Sequence, residues 1–295
     1  MLLGGRRVFR SPHADADWEV GHRTLVMGVV NLTPDSFFAG SRSETLEGAL
    51  AAAARLVDEG ADILDVGGES TRPGAEPVPE NVELERVLPV VEALAASSTI
   101  PISIDTMKSA VARRAVEAGA SLVNDVTGGL ADPGMAEVIS GLAVPIVVGH
   151  IQGTPLTMQI SPSYEDPVDE IRASLAARIA AFEHAGVPAE RILGDPGIGF
   201  GKRQSDNVAV LQRLGAFASL DVPLVLGVSR KRCLGAFLAE AGLEDRGAES
   251  RLEASIAAAV LCAMQGAAIV RVHDVGATRR ALAVVEGLRS EASGA

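Results

Sequence analysis

Carboxylates, amides and cations recur in this sequence at one kind of place, the residue at which a short apolar run ends. Any one of them could be a helix cap, but polar residues after eight successive runs are difficult to explain as caps. If the runs are parallel strands, their carboxyl ends lie at one edge of a sheet and these side chains converge on one site. In chain order they are Asn31, Asp65 with Glu69, Asp105, Asn124 with Asp125, His150, Asp195, Ser229 with Lys231, and Arg271 with His273.

The charges of these side chains indicate what the site could bind. Carboxylate and amide groups could pair with the amino-pyrimidinone edge of a pterin or a purine, and they are supplied by Asp105, Asn124 and Asp195. A second set is cationic or can become so, which in an acidic protein indicates an anionic ligand group, most simply a phosphate. We therefore expect carboxylates on one side of the site and cations on the other. The second set is Arg72, Lys231, Arg271 and His273.

No activated nucleophile can be recognised in the sequence. Residues 197–202 are rich in glycine but have neither the spacing nor the Ser or Thr of a P-loop. Residues 227–231 lack the pattern of a nucleophile elbow, and His150 and His273 lack the spacing of a metal-binding pair. A reaction through a covalent enzyme intermediate usually needs such a nucleophile. We therefore expect chemistry that depends on positioning and charge stabilisation.

A repeated pattern predicts the elements that position these residues. A helical stretch ends at a glycine, a short apolar run follows, and the run ends at a polar residue. The glycine is typical of the left-handed position just after a helix. A run that is apolar on both faces is typical of a strand buried in a parallel sheet. The pattern is plainest after Gly60, Gly119, Gly186 and Gly266.

Further strands and helices complete eight strand-and-helix units. Each additional strand is bounded by Gly, Pro or polar residues, and the helices are rich in alanine. The strands are predicted over 24–31, 102–105, 146–150 and 224–229, and the helices over 45–59, 110–118, 167–185 and 252–265.

Eight alternating units predict a closed (β/α)8 TIM barrel with a parallel sheet. An open doubly wound sheet is the alternative. Because no Pro/Gly/Ser-rich linker divides the units, we expect a single barrel domain over 24–290. Residues 1–23 are expected to form a short N-terminal cap segment, and 291–295 a disordered tail.

Composition restricts the compartment and the class of partner. The 295 residues carry a formal net charge of −12, which argues against nucleic acid or an anionic membrane surface as main partner. The longest apolar stretch, 254–264, is too short to span a bilayer, and the start of the chain lacks a signal-peptide pattern. Two cysteines, Cys233 and Cys262, cannot form a disulfide framework. We expect a cytoplasmic protein that binds small molecules, without nucleic acid or membrane partners.

Seven stretches, each following a predicted strand, closely resemble those of the dihydropteroate synthases. The resemblance extends over about 24–288, and seven matches in order are far more specific than any one of them. The stretches are MGVVNLTPDSF (27–37), DVGGESTRPGA (65–75), SIDT (103–106), NDV (124–126), DPGIGFGK (195–202), SRK (229–231) and RVHD (271–274).

The resemblance implies an activity in folate biosynthesis. The family joins 6-hydroxymethyl-7,8-dihydropterin diphosphate to p-aminobenzoate and releases pyrophosphate, with Mg²⁺ as cofactor. It implies a dissociative route, in which diphosphate leaves, a pterin carbocation forms and the neutral amine attacks. It also implies a homodimer.

The resemblance further implies a role for each matching residue. Asp105, Asn124, Asp195 and Lys231 would hold the pterin, and Arg72, Arg271 and His273 the diphosphate. Asn31 would contact the Mg²⁺–diphosphate assembly, and Phe37, Thr71, Pro73 and Ser229 would border the p-aminobenzoate site. Of these, Asp105, Asp195, Lys231 and Arg271 are expected to be catalytic.

Two segments depart from the family pattern. The first loop reads Phe37-Phe38-Ala39-Gly40, where the family usually has Ser and then Asp after the Phe. Gly149 stands where the family commonly has Met before a His. We expect the glycine to remove a side chain that helps to wall the pterin pocket. Both changes could alter substrate fit or sulfonamide sensitivity.

Three other functions compete with this interpretation. A pterin-binding methyltransferase would share the barrel and the acidic pterin contacts but has no need for the cations near Arg72, Lys231 and Arg271. A phosphate-binding isomerase or aldolase would need an acid/base or Schiff-base residue, for which only Lys231 is a candidate. A non-catalytic paralogue would bind pterin without turning it over.

Overall fold

A computed structural model describes residues 3–9, 17–32 and 42–293 of the chain. A short antiparallel hairpin comes first, and a sheet of eight parallel strands follows. The hairpin strands are β1 (Arg7–Phe9) and β2 (Trp18–Val20), and the sheet strands are β3 (Leu25–Asn31), β4 (Ile63–Gly67), β5 (Ile102–Asp105), β6 (Leu122–Asp125), β7 (Ile146–Gly149), β8 (Ile192–Asp195), β9 (Val225–Gly227) and β10 (Ile269–Val272).

The eight-stranded sheet closes on itself. Its strands are hydrogen-bonded in the order β8-β7-β6-β5-β4-β3-β10-β9. The two end strands meet where Gly194 forms a parallel bridge with Leu224 and donates its N–H to the carbonyl of Pro223 at 3.0 Å. The predicted barrel is therefore confirmed, and the open doubly wound sheet is excluded.

Helices follow every strand of the barrel. The four predicted helices are confirmed to within three residues at each end, and β9 is followed by two helices instead of one. All four glycines of the repeated pattern have positive φ, between 95° and 125°. The helices are α1 (Arg42–Asp58), α2 (Glu80–Ser97), α3 (Ser109–Glu117), α4 (Met135–Gly141), α5 (Pro167–His184), α6 (Gln204–Gln212), α7 (Arg232–Glu240), α8 (Leu252–Met264) and α9 (Val275–Ser293).

The inward face of the barrel changes from apolar to polar along the strands. Side chains two residues apart point to the same face of a strand. On four strands a buried apolar side chain of the lower barrel is followed, two residues on, by a polar one. This alternation places the chemistry at the carboxyl ends of the strands. The pairs are Ile63 and Asp65, Leu122 and Asn124, Leu193 and Asp195, and Ile269 and Arg271.

The hairpin covers the opposite, N-terminal end of the barrel. Phe9 and Trp18 lie with ring centroids 4.5 Å apart and belong to the same apolar cluster as the lower inward side chains of the strands. Beside it, Arg23 donates to both carboxylate oxygens of Asp62, at 2.6 and 2.9 Å. This arrangement agrees with a cap, while the domain boundaries at 23 and 290 stay predictions.

The C-terminal helix extends further than expected. α9 reaches Ser293, so the tail expected over 291–295 would begin inside a helix. Glu291 and Ala292 are good helix formers, which accounts for the continuation; residues 294 and 295 lie outside the described part. No helix in the described ranges is long and apolar enough to span a bilayer.

Candidate active site

Arg271 lies at the centre of the polar end of the barrel and joins residues from three strands. Its Nη2 donates to Oδ2 of Asp105 at 2.7 Å, and its Nε donates to Oδ2 of Asp65 at 2.5 Å. Oδ2 of Asp65 also accepts from the amide of Asn124 at 3.3 Å. One guanidinium therefore links β4, β5 and β10, and Asp65 couples it to β6.

The two carboxylates around Arg271 lie in a dry environment. Asp65 is fully buried and Asp105 is 8% exposed. Burial raises the pKa of Asp105 well above its usual range; Arg271 opposes the rise, and the nearby Asp65 carboxylate adds to it. Oδ1 of Asp65 is buried and has no hydrogen-bond partner among the described residues. The cation is needed here because two buried carboxylates would otherwise repel each other.

The predicted separation of carboxylates on one side of the site from cations on the other is wrong for Arg271. The sequence places Arg271 among the cations expected to bind an anion, but it lies between Asp65 and Asp105. The physical reason is that a buried carboxylate needs a partner, and the guanidinium fork can serve two of them at once. Charges of both signs are therefore in contact within the site.

Asp195 and Lys231 form a second part of the site. Oδ1 of Asp195 accepts from the N–H of Gly197 at 2.7 Å. Burial lowers the pKa of Lys231 to about 8, Asp195 opposes the shift, and Arg271 adds to it. The Lys231 ammonium lies 3.9 Å from the centre of the Phe200 ring, in a cation–π contact. Lys231 thus contacts an aromatic face and is close enough to Asp195 and Arg271 for their charges to affect its pKa.

Ser229 and His273 form a third part, at the ends of β9 and β10. Oγ of Ser229 accepts from the backbone N–H of His273 at 3.2 Å and lies 3.0 Å from its Nδ1. Burial lowers the pKa of His273 to about 4, and Arg271, Arg230 and Arg72 contribute. The ring is therefore neutral near pH 7. If the Ser229 hydroxyl donates to Nδ1, the proton of His273 is on Nε2.

The loop after β4, which carries Thr71, Arg72 and Pro73, is anchored at its base by ion pairs. Nζ of Lys108 lies 2.5 Å from Oε2 of Glu69 and 2.6 Å from Oε2 of Glu83. Oε1 of Glu69 also accepts from Val78. Further along, the N–H of Gly74 donates to the carbonyl of Pro155 at 3.0 Å. The base of this loop is fixed, while Arg72 and Pro73 are exposed and Thr71 is half-buried.

The loop after β8 is held by a buried lysine. Nζ of Lys202 lies 3.0 Å from Nδ1 of His150 and donates to the carbonyl of Phe200 at 3.1 Å. Burial lowers the pKa of Lys202 to about 7, and burial together with this lysine lowers the pKa of His150 to about 3. The pair fixes the segment between Asp195 and Phe200.

Several polar residues at strand ends stabilise loops instead of facing the site. Asp125 accepts from the backbone and hydroxyl of Thr127, at 2.8 and 2.7 Å, and from the N–H of Gly129 at 2.7 Å. Glu69 and His150 are engaged as described above. Caps of helices or anchors of loops therefore explain why polar residues occur at these three strand ends.

The expectation that Gly149 opens the wall of the pterin pocket stays a prediction. A Cβ at this position would lie 2.6 Å from the Cα and carbonyl oxygen of Val126 and 2.7 Å from the carbonyl oxygen of Asp125. The backbone after β6 therefore occupies the place where a side chain would stand.

Two predicted residues belong to the first strand and its loop. Asn31 ends β3, is half-buried, and pairs in register with Gly67 of β4. Phe37, with Phe38 and Ala39, lies outside the described residues.

Residues that matter to the geometry were missed by sequence reasoning. Asp65 was noted as a polar strand end without a role, although its inward position two residues after Ile63 was a usable signal. Lys202 and Asp274 occur only as members of matched stretches, and Lys108 lies in none, since the partners of all three are distant in sequence.

Comparison with known proteins agrees with this site. The family described as "Pterin binding enzyme" matches residues 27–273. A dihydropteroate synthase of Escherichia coli K12 is 44% identical over 265 residues, which are 90% of this chain and 92% of the relative.

Two solved structures are also similar. The Xanthomonas albilineans dihydropteroate synthase with 4-aminobenzoic acid has 46% identity and a TM-score of 0.84, and the match covers 91% of this chain and 94% of that one. The Burkholderia cenocepacia enzyme complexed with 7,8-dihydropteroate has 41% identity and a TM-score of 0.86, with all of both chains covered. The chain therefore belongs to the pterin-binding enzymes and, among them, to the dihydropteroate synthase family.

Proposed function

We propose that this protein joins 6-hydroxymethyl-7,8-dihydropterin diphosphate to p-aminobenzoate, forming 7,8-dihydropteroate and pyrophosphate. The observation that carries the proposal is the position of Arg271, which contacts the carboxylate of Asp105 directly. A ligand with a polar ring and an anionic arm fits a site in which acceptors and cations adjoin. The relatives with 4-aminobenzoic acid and 7,8-dihydropteroate support the same amine substrate and the same product.

The pterin ring would be recognised by Asp105, Asn124, Asp195 and Lys231. The two carboxylates can accept from the ring's amino and N–H groups, and Asn124 and Lys231 can donate to its nitrogen and oxygen atoms. Phe200, against which Lys231 lies, would border the ring. Lys231 acts here in its protonated form.

We propose a dissociative substitution. The bond between the pterin methylene carbon and the diphosphate oxygen breaks, and its electron pair leaves with the diphosphate. Arg271, His273 and Arg72 stabilise the leaving anion, while the buried carboxylates Asp105 and Asp195 stabilise the positive charge on the ring. The amine nitrogen then attacks the methylene carbon and loses one proton. The amine is a nucleophile without activation and needs only positioning.

The oxygen atoms available at the mouth of the barrel, the end at which the strands have their carboxyl termini, fit a Mg²⁺ ion that is held largely by the substrate. Mg²⁺ usually binds one or two protein oxygens together with phosphates and waters. Asn31 offers one amide oxygen at the end of β3, and no cluster of three His, Cys, Asp or Glu side chains suited to a metal occurs in the described ranges. When bound, Mg²⁺ supplies charge neutralisation on the diphosphate.

The amine would bind between the loops after β4 and β9. Thr71 and Pro73 on one loop and Ser229 on the other would border it, with Phe37 as the proposed fourth contact. The fixed base of the first loop, through Lys108 and Glu69, supports a pocket of defined shape.

Pyrophosphate release with and without p-aminobenzoate tests the proposal. Amine-dependent release is the expected result, and its absence would overturn it. Binding of pterin without release would favour the non-catalytic paralogue. Methyl transfer from methyltetrahydrofolate to a corrinoid protein would favour the methyltransferase. The cationic side chains of Arg72 and Arg271 argue against that function.

A homodimer is proposed as the assembly. Exposed apolar side chains on the neighbouring helices α7 and α8 support it, with Phe237 41% and Leu261 44% exposed. Light scattering of the purified protein tests it, and a monomeric mass at assay concentration would contradict it. A cytoplasmic location remains proposed on composition alone.

A further inference from the structure

Arg230 is a non-glycine residue in a left-handed conformation between two residues of the site. Its φ is 59°, a region that side chains other than Asn and Asp seldom adopt. Ser229 precedes it and Lys231 follows it. Such a conformation persists only where surrounding contacts impose it.

The side chain of Arg230 is held by a two-point ion pair. Its Nε donates to Oδ2 of Asp274 at 3.0 Å, and its Nη2 donates to Oδ1 at 2.7 Å. The two side chains are only 25% and 21% exposed. A further contact from Nη1 to Glu249, at 2.8 Å, involves a carboxylate that is 87% exposed and screened by solvent. Asp274 directly follows His273, so the pair joins the ends of β9 and β10.

The backbone of Arg230 is held as well. Its N–H donates to Oγ of Ser255 at 2.8 Å, and its carbonyl accepts from Nη1 of Arg251 at 3.1 Å. Arg251 is itself fixed by both oxygens of Asp245, at 2.9 and 2.7 Å. Both peptide groups of the strained residue are therefore satisfied by side chains at the start of α8.

The strained turn sets the directions of its two neighbours. On one side, Ser229 contacts the backbone and ring of His273. On the other, Lys231 lies over Phe200. A shift of the turn would move the proposed amine and pterin contacts relative to the proposed diphosphate contacts on β10.

We propose that Arg230 and Asp274 are positioning residues, which hold the ends of β9 and β10 in the one register where Ser229, Lys231, Arg271 and His273 act together. The expected effect on turnover rests on the proposed function. It assigns to neither residue a contact with substrate.

The test compares Asp274→Asn, Arg230→Gln and the double variant with wild type. Asn has nearly the shape of Asp but cannot complete the ion pair. Both single variants are expected to lose about 10- to 100-fold in kcat/KM for the amine, because small misplacements of reacting groups have effects of this size. The double variant should lose no more than either single one, since the pair acts as a unit. Arg230→Lys should restore part of the activity.

A matched control separates positioning from general loss of an ion pair. Arg213 pairs with Asp166 on the outer face of the barrel, at 2.9 and 3.1 Å. Arg213→Gln should keep full turnover. Thermal denaturation establishes that each variant is folded at the assay temperature. Turnover within twofold of wild type in folded Asp274→Asn would overturn the proposal, and so would a far larger loss in Arg230→Gln than in Asp274→Asn, which would indicate direct substrate contact.

Calorimetric titration with inorganic pyrophosphate gives a readout that does not require turnover. Asp274→Asn should bind pyrophosphate about tenfold more weakly, which corresponds to about 1.4 kcal/mol, while Arg213→Gln binds as wild type does. A wild type that binds pyrophosphate but shows no amine-dependent release contradicts the proposed function alone. Equal pyrophosphate affinity in wild type and Asp274→Asn contradicts the positioning role alone.

Discussion

Arg271 donates a hydrogen bond of 2.7 Å to Asp105. The residue proposed to bind the diphosphate therefore forms an ion pair with a residue proposed to bind the pterin ring. Asp65 completes the arrangement from β4. The pair keeps buried carboxylates compensated before substrate enters. It also means that the ring-binding and leaving-group functions of the site are coupled, because a change at Arg271 alters the environment of Asp105.

Replacement of Arg271 should therefore reduce both stability and activity. Arg271→Ala leaves Asp65 and Asp105 without their cation, and we expect a loss of about 3 kcal/mol in the free energy of unfolding. Turnover should fall by at least about 100- to 1000-fold, as for other removed charge-stabilising donors. Arg271→Lys keeps the charge but loses the planar fork of the guanidinium, so its stability and turnover should lie between those of wild type and Arg271→Ala. Denaturant titration and steady-state kinetics measure these effects.

Arg246 offers the control for that experiment. It pairs with Glu244 and is 75% exposed, so Arg246→Ala should leave both quantities near wild type. Unchanged stability in Arg271→Ala would show that the ion pairs with Asp65 and Asp105 are not formed in solution.

Asp65→Asn should lower turnover although Asp65 has no assigned contact with substrate. The amide cannot serve both Arg271 and Asn124 as a charged acceptor, so the guanidinium loses part of its orientation. We expect a decrease of about tenfold in kcat, in the range of other losses of orientation. Asp62→Asn is the control, because Asp62 holds Arg23 at the opposite end of the barrel. It should reduce stability and spare turnover, and equal kinetic losses in the two variants would refute the role of Asp65.

The pH dependence should show an alkaline limb that belongs to Lys231. Its pKa is lowered from the ordinary 10.5 to about 8 by burial. Since the protonated form is the one proposed to bind the pterin, kcat/KM should decrease as pH rises through about 8. In Lys231→Arg the limb should disappear or move well upward, because Arg does not titrate in this range. An identical limb in this variant would assign the ionisation to another group.

Restoring a side chain at position 149 should destabilise the protein. In Gly149→Met the Cβ would meet the backbone of Val126 at 2.6 Å, and overpacking of this kind costs about 1–3 kcal/mol. Gly141→Ala is the control, since nothing lies within 4 Å of a Cβ there. Thermal denaturation of both variants distinguishes them. A Gly149→Met protein as stable as wild type would mean that the backbone after β6 adapts readily.

The fold could be predicted from the sequence because its signals are local. A helix end, a left-handed glycine and a short apolar run follow one another within a few residues, and Gly60, Gly119, Gly186 and Gly266 all have the expected φ. Helix α7 also ends at a glycine, since Gly242 follows it with a φ of 74°, but a polar loop comes next instead of an apolar run. It was not predicted.

The site could be predicted only as a set of residues at one end of the barrel. Which of them touch depends on pairs that are far apart in the chain: Arg271 and Asp65 are separated by 206 positions, and Lys202 and His150 by 52. Alternation of inward side chains places Asp65 at the mouth, but it does not reveal that a cation lies against it. The error about separated charges has this origin.

Formation of the carbon–nitrogen bond of dihydropteroate is the reaction proposed for this chain. The most direct measurement incubates purified protein with 6-hydroxymethyl-7,8-dihydropterin diphosphate, p-aminobenzoate and Mg²⁺, and quantifies product by mass spectrometry alongside pyrophosphate. We predict 7,8-dihydropteroate and pyrophosphate in equal amounts, both lost in Arg271→Ala. Pyrophosphate without dihydropteroate, or neither product from folded wild-type protein, would contradict the account.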